Sequence, residues 1–183
     1  MVDRWQVNGS RELASFRFFK VRQDRSISPR TRAEHEMLVL EMSDWVNIVA
    51  VTEVGNVVMI RQYRHGTKGV GLEIPGGVIE AGEDPATAAR RELKEETGYD
   101  CQELVAIGKV APNPALQDNW CYSFLARGAH RAGAQDLDPG EDIEVLEIEA
   151  GEVVHRIASG EINHSLVVVA LAFALEIKNA NQL

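Results

Sequence analysis

The chain has 183 residues, of which 45% are hydrophobic and 26% are charged, as in an ordinary globular domain. Its 19 lysines and arginines and 28 aspartates and glutamates give a net charge of −9. This charge argues against nucleic acid or an anionic membrane as the main partner, since both attract basic surfaces. It also repels anionic metabolites unless a local positive charge reverses the field.

The chain lacks the sequence features of export and membrane insertion. No apolar run reaches the roughly 18 residues of a membrane helix, and residues 1–5 do not begin a secretory signal. Cys101 and Cys121 have neither CxxC partners nor zinc-site spacing, so we expect reduced, packed thiols. These observations predict a cytoplasmic protein.

The part of the chain before residue 78 predicts strands separated by turns. Alternating or β-branched residues mark five of them, at 11–22, 35–42, 45–53, 57–64 and 72–74. Gly55-Asn56 joins the third and fourth as a hairpin. Pro75-Gly76-Gly77 is expected to end the last of these strands as a loop.

A central helix is predicted next because both of its ends carry capping residues. Asp84 suits the N-cap, Pro85 the first helical position and Gly98 the position after the last turn. Residues 86–97 between them are almost free of helix breakers. The sequence therefore predicts one well-bounded helix in the middle of the chain.

The remaining segments complete an α+β pattern. Strands are expected at 103–110, 120–127 and 144–149, a long polar loop at 128–141, and two terminal helices at about 150–159 and 164–178. Strands, a central helix, further strands and terminal helices indicate the α+β class with a mixed sheet.

The central helix carries an unusual concentration of acid. Glu95 and Glu96 lie three and four residues after Glu92 and share one face with it, where each such like-charge pair costs about 0.2–0.5 kcal/mol. They also crowd the C-terminal end, where the helix dipole is already negative. A solvated charged face would explain one such pair. Carboxylates gathered beside a glycine-rich loop are also the ligands that a hard divalent cation prefers, and Mg²⁺ there would supply the missing positive field.

The spacing from Gly77 onward reads G-x5-E-x7-R-E-U-x-E-E-x-G-U, where U is a bulky apolar residue. The nine specified positions are Gly77, Glu83, Arg91, Glu92, Leu93, Glu95, Glu96, Gly98 and Tyr99. This pattern resembles the signature of the Nudix hydrolases, with Tyr99 standing where an aliphatic residue is more usual. The resemblance implies an α/β/α sandwich with a mixed β-sheet over residues 46–183, and an N-terminal β extension over residues 1–45.

The resemblance also implies a reaction and its residues. The family hydrolyses nucleoside diphosphates linked to another moiety and uses Mg²⁺ or Mn²⁺. Metal ligands are implied at Glu92, Glu96, the backbone carbonyl of Gly76 and, for a second ion or through water, Glu95. Structural roles within the motif are implied for Gly77, Glu83 and Arg91, the last two as a pair that holds the loop to the helix.

A general base is expected outside the signature. Relatives that act on ADP-ribose often place it in a loop, and here the acidic stretch 136–142 lies in the predicted long loop. Glu141 is the residue we select as base or additional metal ligand, and Glu95 is the second carboxylate that we expect to take part in catalysis. The alternative is a solvated loop acid.

Subgroup features suggest the substrate. The segments Arg61–Arg64 and 72–77 resemble those of ADP-ribose and nucleoside-diphosphate-sugar pyrophosphatases, which implies substrate binding by Arg64, then Arg61, and by Glu73. Pro114 resembles a marker of ADP-ribose hydrolases, but the segment 113–119 around it departs from their usual loop. We therefore expect a hydrolase of nucleoside diphosphate sugars, including ADP-ribose, that releases a nucleoside monophosphate and a sugar phosphate.

Two rival functions stay open, together with a prediction about assembly. The protein could remove non-standard nucleoside triphosphates, or it could sense ADP-ribose without catalysis. The complete set of signature carboxylates and the segment Arg61–Arg64 favour the enzyme of nucleotide sugars. The N-terminal strands of relatives pack across a homodimer, so the resemblance also implies a homodimer.

Overall fold

The computed structural model describes residues 2–179, so the last four residues of the predicted domain 46–183 lie outside the described chain. Within this range it has eleven strands and three helices. The strands are β1 (Gln6–Ser15), β2 (Phe19–Ile27), β3 (Glu34–Met42), β4 (Trp45–Thr52), β5 (Asn56–Arg64), β6 (Gly69–Glu73), β7 (Gly76–Val78), β8 (Tyr99–Asp100), β9 (Glu103–Val110), β10 (Cys121–Arg131) and β11 (Ile143–Glu149). The helices are α1 (Pro85–Thr97), α2 (Ala150–Ala158) and α3 (Ser165–Asn179). None of the helices in this range has the length and apolar character needed to cross a membrane.

The chain divides into two compact units, and the first contains the N-terminal strands. It combines the residues before Trp45 with Ala111–Trp120. Strands β1, β2 and β3 form an antiparallel sheet in that order, and Leu40 exchanges backbone hydrogen bonds with the 111–120 segment. No local sequence signal predicts this contact, because it joins residues more than seventy positions apart.

One predicted strand is divided in the structure. The expectation of a single strand over 11–22 is wrong, because β1 ends at Ser15 and β2 begins at Phe19. The turn between them is closed by a hydrogen bond from the Phe16 amide to the Phe19 carbonyl. Two phenylalanines occupy the turn in place of the Gly, Asn or Pro that usually mark one, so the pattern concealed it.

The second unit is built on an eight-stranded sheet. Its main strand order is β11-β5-β4-β10-β8, with β6, β7 and β9 paired to β5, β4 and β10. Strands β4 and β10 are parallel and the other pairs are antiparallel, so the sheet is mixed. The predicted hairpin is formed by β4 and β5, and Gly55 in its turn has φ +90°. The predicted α+β class with a mixed sheet is confirmed.

Helices cover both faces of this sheet. Ile48 and Ala50 of β4 pack in one buried cluster with Leu93 of α1, whereas Val49 packs in a second cluster with Val167 of α3. Alternate residues of an extended strand point to opposite faces, so an almost continuous apolar strand is buried on both sides. The result is a helix, sheet, helix layering.

The two ends of α1 are fixed as the sequence predicts. The Asp84 side chain accepts hydrogen bonds from the amides of Ala86 and Thr87, and Gly98 adopts a left-handed φ of 71°. The expectation that Gly76 and Gly77 lie in a loop is wrong, because they form β7 and pair with β4. This pairing holds the segment that leads into α1 against the sheet.

Candidate active site

The glycine strand and the acidic helix meet face to face. Gly77 pairs with Val46 of β4, and a Cβ atom at Gly77 would lie 2.3 Å from the carboxylate carbon of Glu92. A Cβ at Gly76 would lie 2.3 Å from the carbonyl oxygen of Val46. Both distances are far below a van der Waals contact, so only glycine permits this approach of β7 to its two neighbours.

Two of the signature carboxylates are buried against this strand. Glu96 is 3% exposed and accepts a hydrogen bond of 2.8 Å from the Gly76 amide, and Glu92 is 9% exposed. Burial raises the pKa of Glu96 to about 8, helped by the charges of Glu92 and Glu141 and opposed by the Gly76 amide. Burial also raises the pKa of Glu92. A cation beside them would favour the charged forms of both.

Arg91 connects the acidic face of the helix to the loop before it. Its guanidinium donates to both oxygens of Glu83 at 3.0 and 2.9 Å and to the carbonyl of Val78 at 3.1 Å. The same side chain donates to Glu92 at 2.9 Å and to Glu95 at 3.0 Å. These partners raise the pKa of Arg91, with Glu83 as the largest favourable contribution. Arg91 therefore forms ion pairs with three carboxylates of the motif and fixes their positions.

The donor set here fits a hard divalent cation. Glu92, Glu95 and Glu96 supply carboxylate oxygens from one helix face, and the hydrogen bond from the Gly76 amide to Glu96 brings the backbone of β7 beside them. Over the described residues, no three acidic, histidine or cysteine side chains already surround one point as a metal cluster does. The carboxylates are instead shared between Arg91 and the Gly76 amide. Divalent metals are general in the family that the signature resembles, and the chemistry of these oxygens agrees with that use.

Glu141 lies in the loop between β10 and β11, which is tied to the end of α1. Its carboxylate accepts from the Asp138 amide at 3.0 Å, and its charge contributes to the raised pKa values of Glu92 and Glu96. Gln135 holds the loop in place by donating to the carbonyls of Glu96 at 2.7 Å and Ile143 at 3.0 Å. No sequence motif marks Gln135, because its partners are backbone atoms distant along the chain.

A cavity of about 300 Å³ opens beside the glycine strand. Its lining residues are Trp45, Val46, Asn47, Arg64, Gly76, Gly77, Val78, Cys121, His164 and Leu166. Of the two arginines expected to bind substrate, Arg64 lines this cavity, whereas Arg61 lies elsewhere and pairs with Glu144 at 3.2 Å. The structure thus separates the two candidates and brings Arg64 to the glycine strand.

The buried carboxylate of Glu73 binds the guanidinium of Arg64. It is 3% exposed and accepts two hydrogen bonds from Arg64, at 2.9 Å from Nε and 2.8 Å from Nη2. Burial alone would raise the pKa of Glu73, but interactions with His164 and Arg64 lower it to about 2. A bidentate pair of this kind fixes the plane of a guanidinium. Glu73, expected to bind substrate, is placed to orient Arg64.

Two polar residues of the cavity were not selected from the sequence. Asn47 is 8% exposed, and its Nδ2 has no hydrogen-bond partner among the described residues. His164 places its Nδ1 3.3 Å from Glu73. Neither residue lies in a motif, so only the fold reveals their common location.

Comparisons with known proteins agree with this geometry. A NUDIX domain model matches residues 41–163. The methanol dehydrogenase activator of Bacillus methanolicus is 33% identical over 129 residues, which cover 70% of this chain and 70% of that protein. The ADP-ribose pyrophosphatase of Bacillus subtilis strain 168 is 33% identical over 138 residues, which cover 75% of this chain and 74% of that protein.

The fold is also found among solved structures. A crystal structure of an ADP compounds hydrolase matches with a TM-score of 0.86 at 20% identity and covers 100% of this chain and 98% of the other. At this identity the match establishes the fold alone. The domain match over two thirds of the chain and the similarity to the Bacillus subtilis relative confirm the family expected from the signature: this chain belongs to the NUDIX family.

Proposed function

We propose that this protein is a metal-dependent hydrolase that cleaves the diphosphate of nucleoside diphosphate sugars, including ADP-ribose. The observation that carries the proposal is the meeting of Glu92 and Glu96 with the glycine strand at the edge of a cavity that also contains Arg64. The name of the Bacillus subtilis relative, ADP-ribose pyrophosphatase, supports the same substrate class.

The residues that would hold the metal are Glu92, Glu96, the Gly76 carbonyl and, directly or through water, Glu95. Mg²⁺ is our first choice of ion and Mn²⁺ the second, because oxygen donors dominate the site. When bound, the ion supplies positive charge to the diphosphate oxygens and lowers the pKa of a coordinated water. Glu83 and Arg91 fix the ligand helix to the preceding loop, since ligand carboxylates need such support.

The chemical step is hydrolysis at one phosphorus of the diphosphate. A water oxygen bonds to that phosphorus, and the bond from the phosphorus to the bridging oxygen breaks with its electron pair on the oxygen. Glu141 is proposed as the base that accepts the water proton, supported by its electrostatic coupling to Glu92 and Glu96. Normal turnover by a Glu141→Gln variant would remove Glu141 from this role.

Arg64 is proposed to bind the substrate phosphates. Its Nε and Nη2 are engaged by Glu73, and Nη1 has no acceptor in the described part of the chain. A planar guanidinium that Glu73 holds on one side, with Nη1 available on the other, is suited to bind a phosphate oxygen. Arg61 stays a second prediction on family resemblance, since its guanidinium pairs with Glu144 outside the cavity lining.

A substrate panel tests the proposal. ADP-ribose, GDP-mannose and a nucleoside triphosphate are incubated with Mg²⁺, and the products are separated. We expect a nucleoside monophosphate and a sugar phosphate from the first two. Preference for the triphosphate would favour the rival function of removing non-standard nucleotides.

A variant at the carboxylates separates an enzyme from a sensor. Glu96→Gln should lower kcat by at least about a hundredfold while the exposed control Glu103→Gln stays at the wild-type rate. Binding of ADP-ribose by a wild-type protein that never hydrolyses it would favour the non-catalytic sensor.

Assembly and location complete the proposal. We propose a homodimer formed through the N-terminal unit, supported by the apolar side chains that its sheet exposes. We also propose a cytoplasmic location, supported by two free cysteines, Cys101 and Cys121. Cell fractionation checks the location.

A further inference from the structure

His164 occupies a fixed place at the edge of the cavity. It directly precedes α3, and its carbonyl accepts the hydrogen bond from the Val168 amide that closes the first turn. Leu166, two residues later, is buried and also lines the cavity. The backbone that carries the imidazole is therefore anchored at the start of α3, as a binding residue requires.

The imidazole is oriented with one nitrogen inward. Nδ1 is buried and lies 3.3 Å from Oε2 of Glu73, a contact without the alignment of a formed hydrogen bond. The side chain as a whole is 43% exposed. The exposure comes from other atoms of the side chain, and Nε2 is not among the buried polar atoms without a partner.

His164 and Arg64 meet at the same atom. Oε2 of Glu73 accepts from Arg64 Nη2 at 2.8 Å and contacts His164 Nδ1 at 3.3 Å. The guanidinium and the imidazole are thus neighbours on one buried carboxylate, and both line the cavity. Arg64 is also electrostatically coupled to Glu96 and Glu141, so this pair lies near the acidic residues of the site.

A second feature of the cavity, an amide nitrogen without a partner, indicates a polar ligand. Asn47 is more than nine-tenths buried in its wall, and the side-chain nitrogen has no partner in the described structure. A buried amide without a partner is costly, and native proteins usually satisfy such a group with a ligand or water. The wall therefore has more hydrogen-bonding capacity than the protein itself uses.

We propose that His164 is a second substrate-binding donor, which together with Arg64 holds an oxygen of the substrate diphosphate. The inference rests on the proposed function. Nδ1 faces Glu73, and Nε2 carries the hydrogen that is donated to the phosphate oxygen.

The test uses inorganic pyrophosphate, which carries the diphosphate but no sugar or base. Its affinity in the presence of Mg²⁺ is measured by calorimetry for the wild type and for three variants of His164. His164→Ala removes both nitrogens. His164→Asn places an amide near Nδ1 and keeps the contact with Glu73, whereas His164→Gln reaches the position of Nε2.

We expect about tenfold weaker pyrophosphate binding for His164→Ala and His164→Asn, and recovery of most of the affinity for His164→Gln. The control His155→Ala, exposed on α2, should bind as the wild type does. A purely structural role of His164 in supporting Glu73 predicts the reverse order of Asn and Gln and would overturn the proposal. So would weakened ADP-ribose binding with unchanged pyrophosphate binding, which would place His164 on the sugar.

The outcome is independent of turnover. A wild type that binds pyrophosphate but does not hydrolyse ADP-ribose would contradict the proposed function and leave this comparison valid. A wild type that hydrolyses ADP-ribose, with equal pyrophosphate affinity in all variants, would contradict the inference alone. Thermal unfolding of each variant shows that the fold is retained.

Discussion

Gly77 illustrates how one missing side chain makes room for another. The Glu92 carboxylate occupies the space where any other residue would place its Cβ, at a distance of 2.3 Å. Glu92 is buried and cannot swing into solvent without leaving the glycine strand. The buried position of Glu92 therefore requires glycine at position 77, which explains why the motif begins with glycine.

Gly77→Ala should reduce activity by at least about tenfold, because the new methyl group displaces Glu92 from the glycine strand. The measurement is kcat with ADP-ribose and Mg²⁺, together with the thermal midpoint. Gly66→Ala is the matched control, since its Cβ would meet no atom within 4 Å. Equal activities of the two variants would contradict the role given to the close approach.

Glu73 should make stability depend on pH. Its pKa is about 2 in the folded protein against an ordinary value of 4.5, so its contribution is complete above about pH 4.5 and is lost as the pH falls toward 2. We expect the difference in unfolding free energy between wild type and Glu73→Gln to shrink by about 1 kcal/mol between pH 6 and pH 4. Urea unfolding at the two pH values measures it. A constant difference would contradict the prediction.

At the residue scale, the sequence predicts the residues that act through local spacing. Glu92 and Glu96 are one helical turn apart, and Glu83 reaches Arg91 from the adjoining loop, so a linear pattern contains these relations. Asn47 and His164 are more than one hundred positions apart, and no spacing rule connects them. Their common cavity is a product of the β4 position and the start of α3.

At the scale of elements, the loop 132–142 is also only partly predictable from the sequence. Its length and acidity were visible in the sequence, but its attachment was not. The Gln135 side chain and the Asp136 amide both bind carbonyls at the end of α1, the latter at Glu95 over 2.9 Å. These bonds also satisfy carbonyl groups that every helix end leaves without a partner.

Gln135→Ala should lower kcat several-fold with little change in KM, because the loop that carries Glu141 loses its link between α1 and β11. Hydrogen exchange of the loop amides should increase in parallel. Gln102→Ala is the control, since that side chain bonds Glu53 on the exposed surface. Unchanged exchange in the Gln135 variant would show that the backbone bonds alone hold the loop.

Predicted elements failed where tertiary contact outweighed local signals. Gly76 and Gly77 look like a loop because glycine is disfavoured in strands, yet pairing with β4 makes them β7. The turn at 16–18 carries apolar residues and was predicted to continue a strand. By contrast, Asp84 and Gly98 at the ends of α1 act through neighbouring backbone atoms, and there the prediction is confirmed.

At the scale of the whole molecule, the N-terminal sheet exposes an unusual amount of apolar surface. Its unit includes Leu13, Phe16, Phe18, Met37 and Leu38, each more than 40% exposed. Scattered apolar residues are normal on a surface, but a concentration on one small sheet is typical of an interface. This surface supports the proposed homodimer.

The double variant Leu13→Glu, Leu38→Asp should shift the protein from twice the chain mass of 20.2 kDa toward the monomer. Buried charge would oppose association through that sheet. Sedimentation equilibrium measures the mass. Val54→Asp, which alters a more exposed apolar residue in the β4–β5 turn, should not change it. A wild type that sediments as a monomer would contradict the proposed homodimer.

Arg91 has a consequence for how the protein reaches its working state. Because one guanidinium donates hydrogen bonds to Glu83, Glu92 and Glu95 and offsets part of their mutual repulsion, the acidic face of α1 can form during folding without waiting for an ion. The order of maturation is then folding first and metal loading second. A cell short of divalent ions would accumulate an intact, idle enzyme that can be switched on later, rather than an unfolded chain destined for degradation.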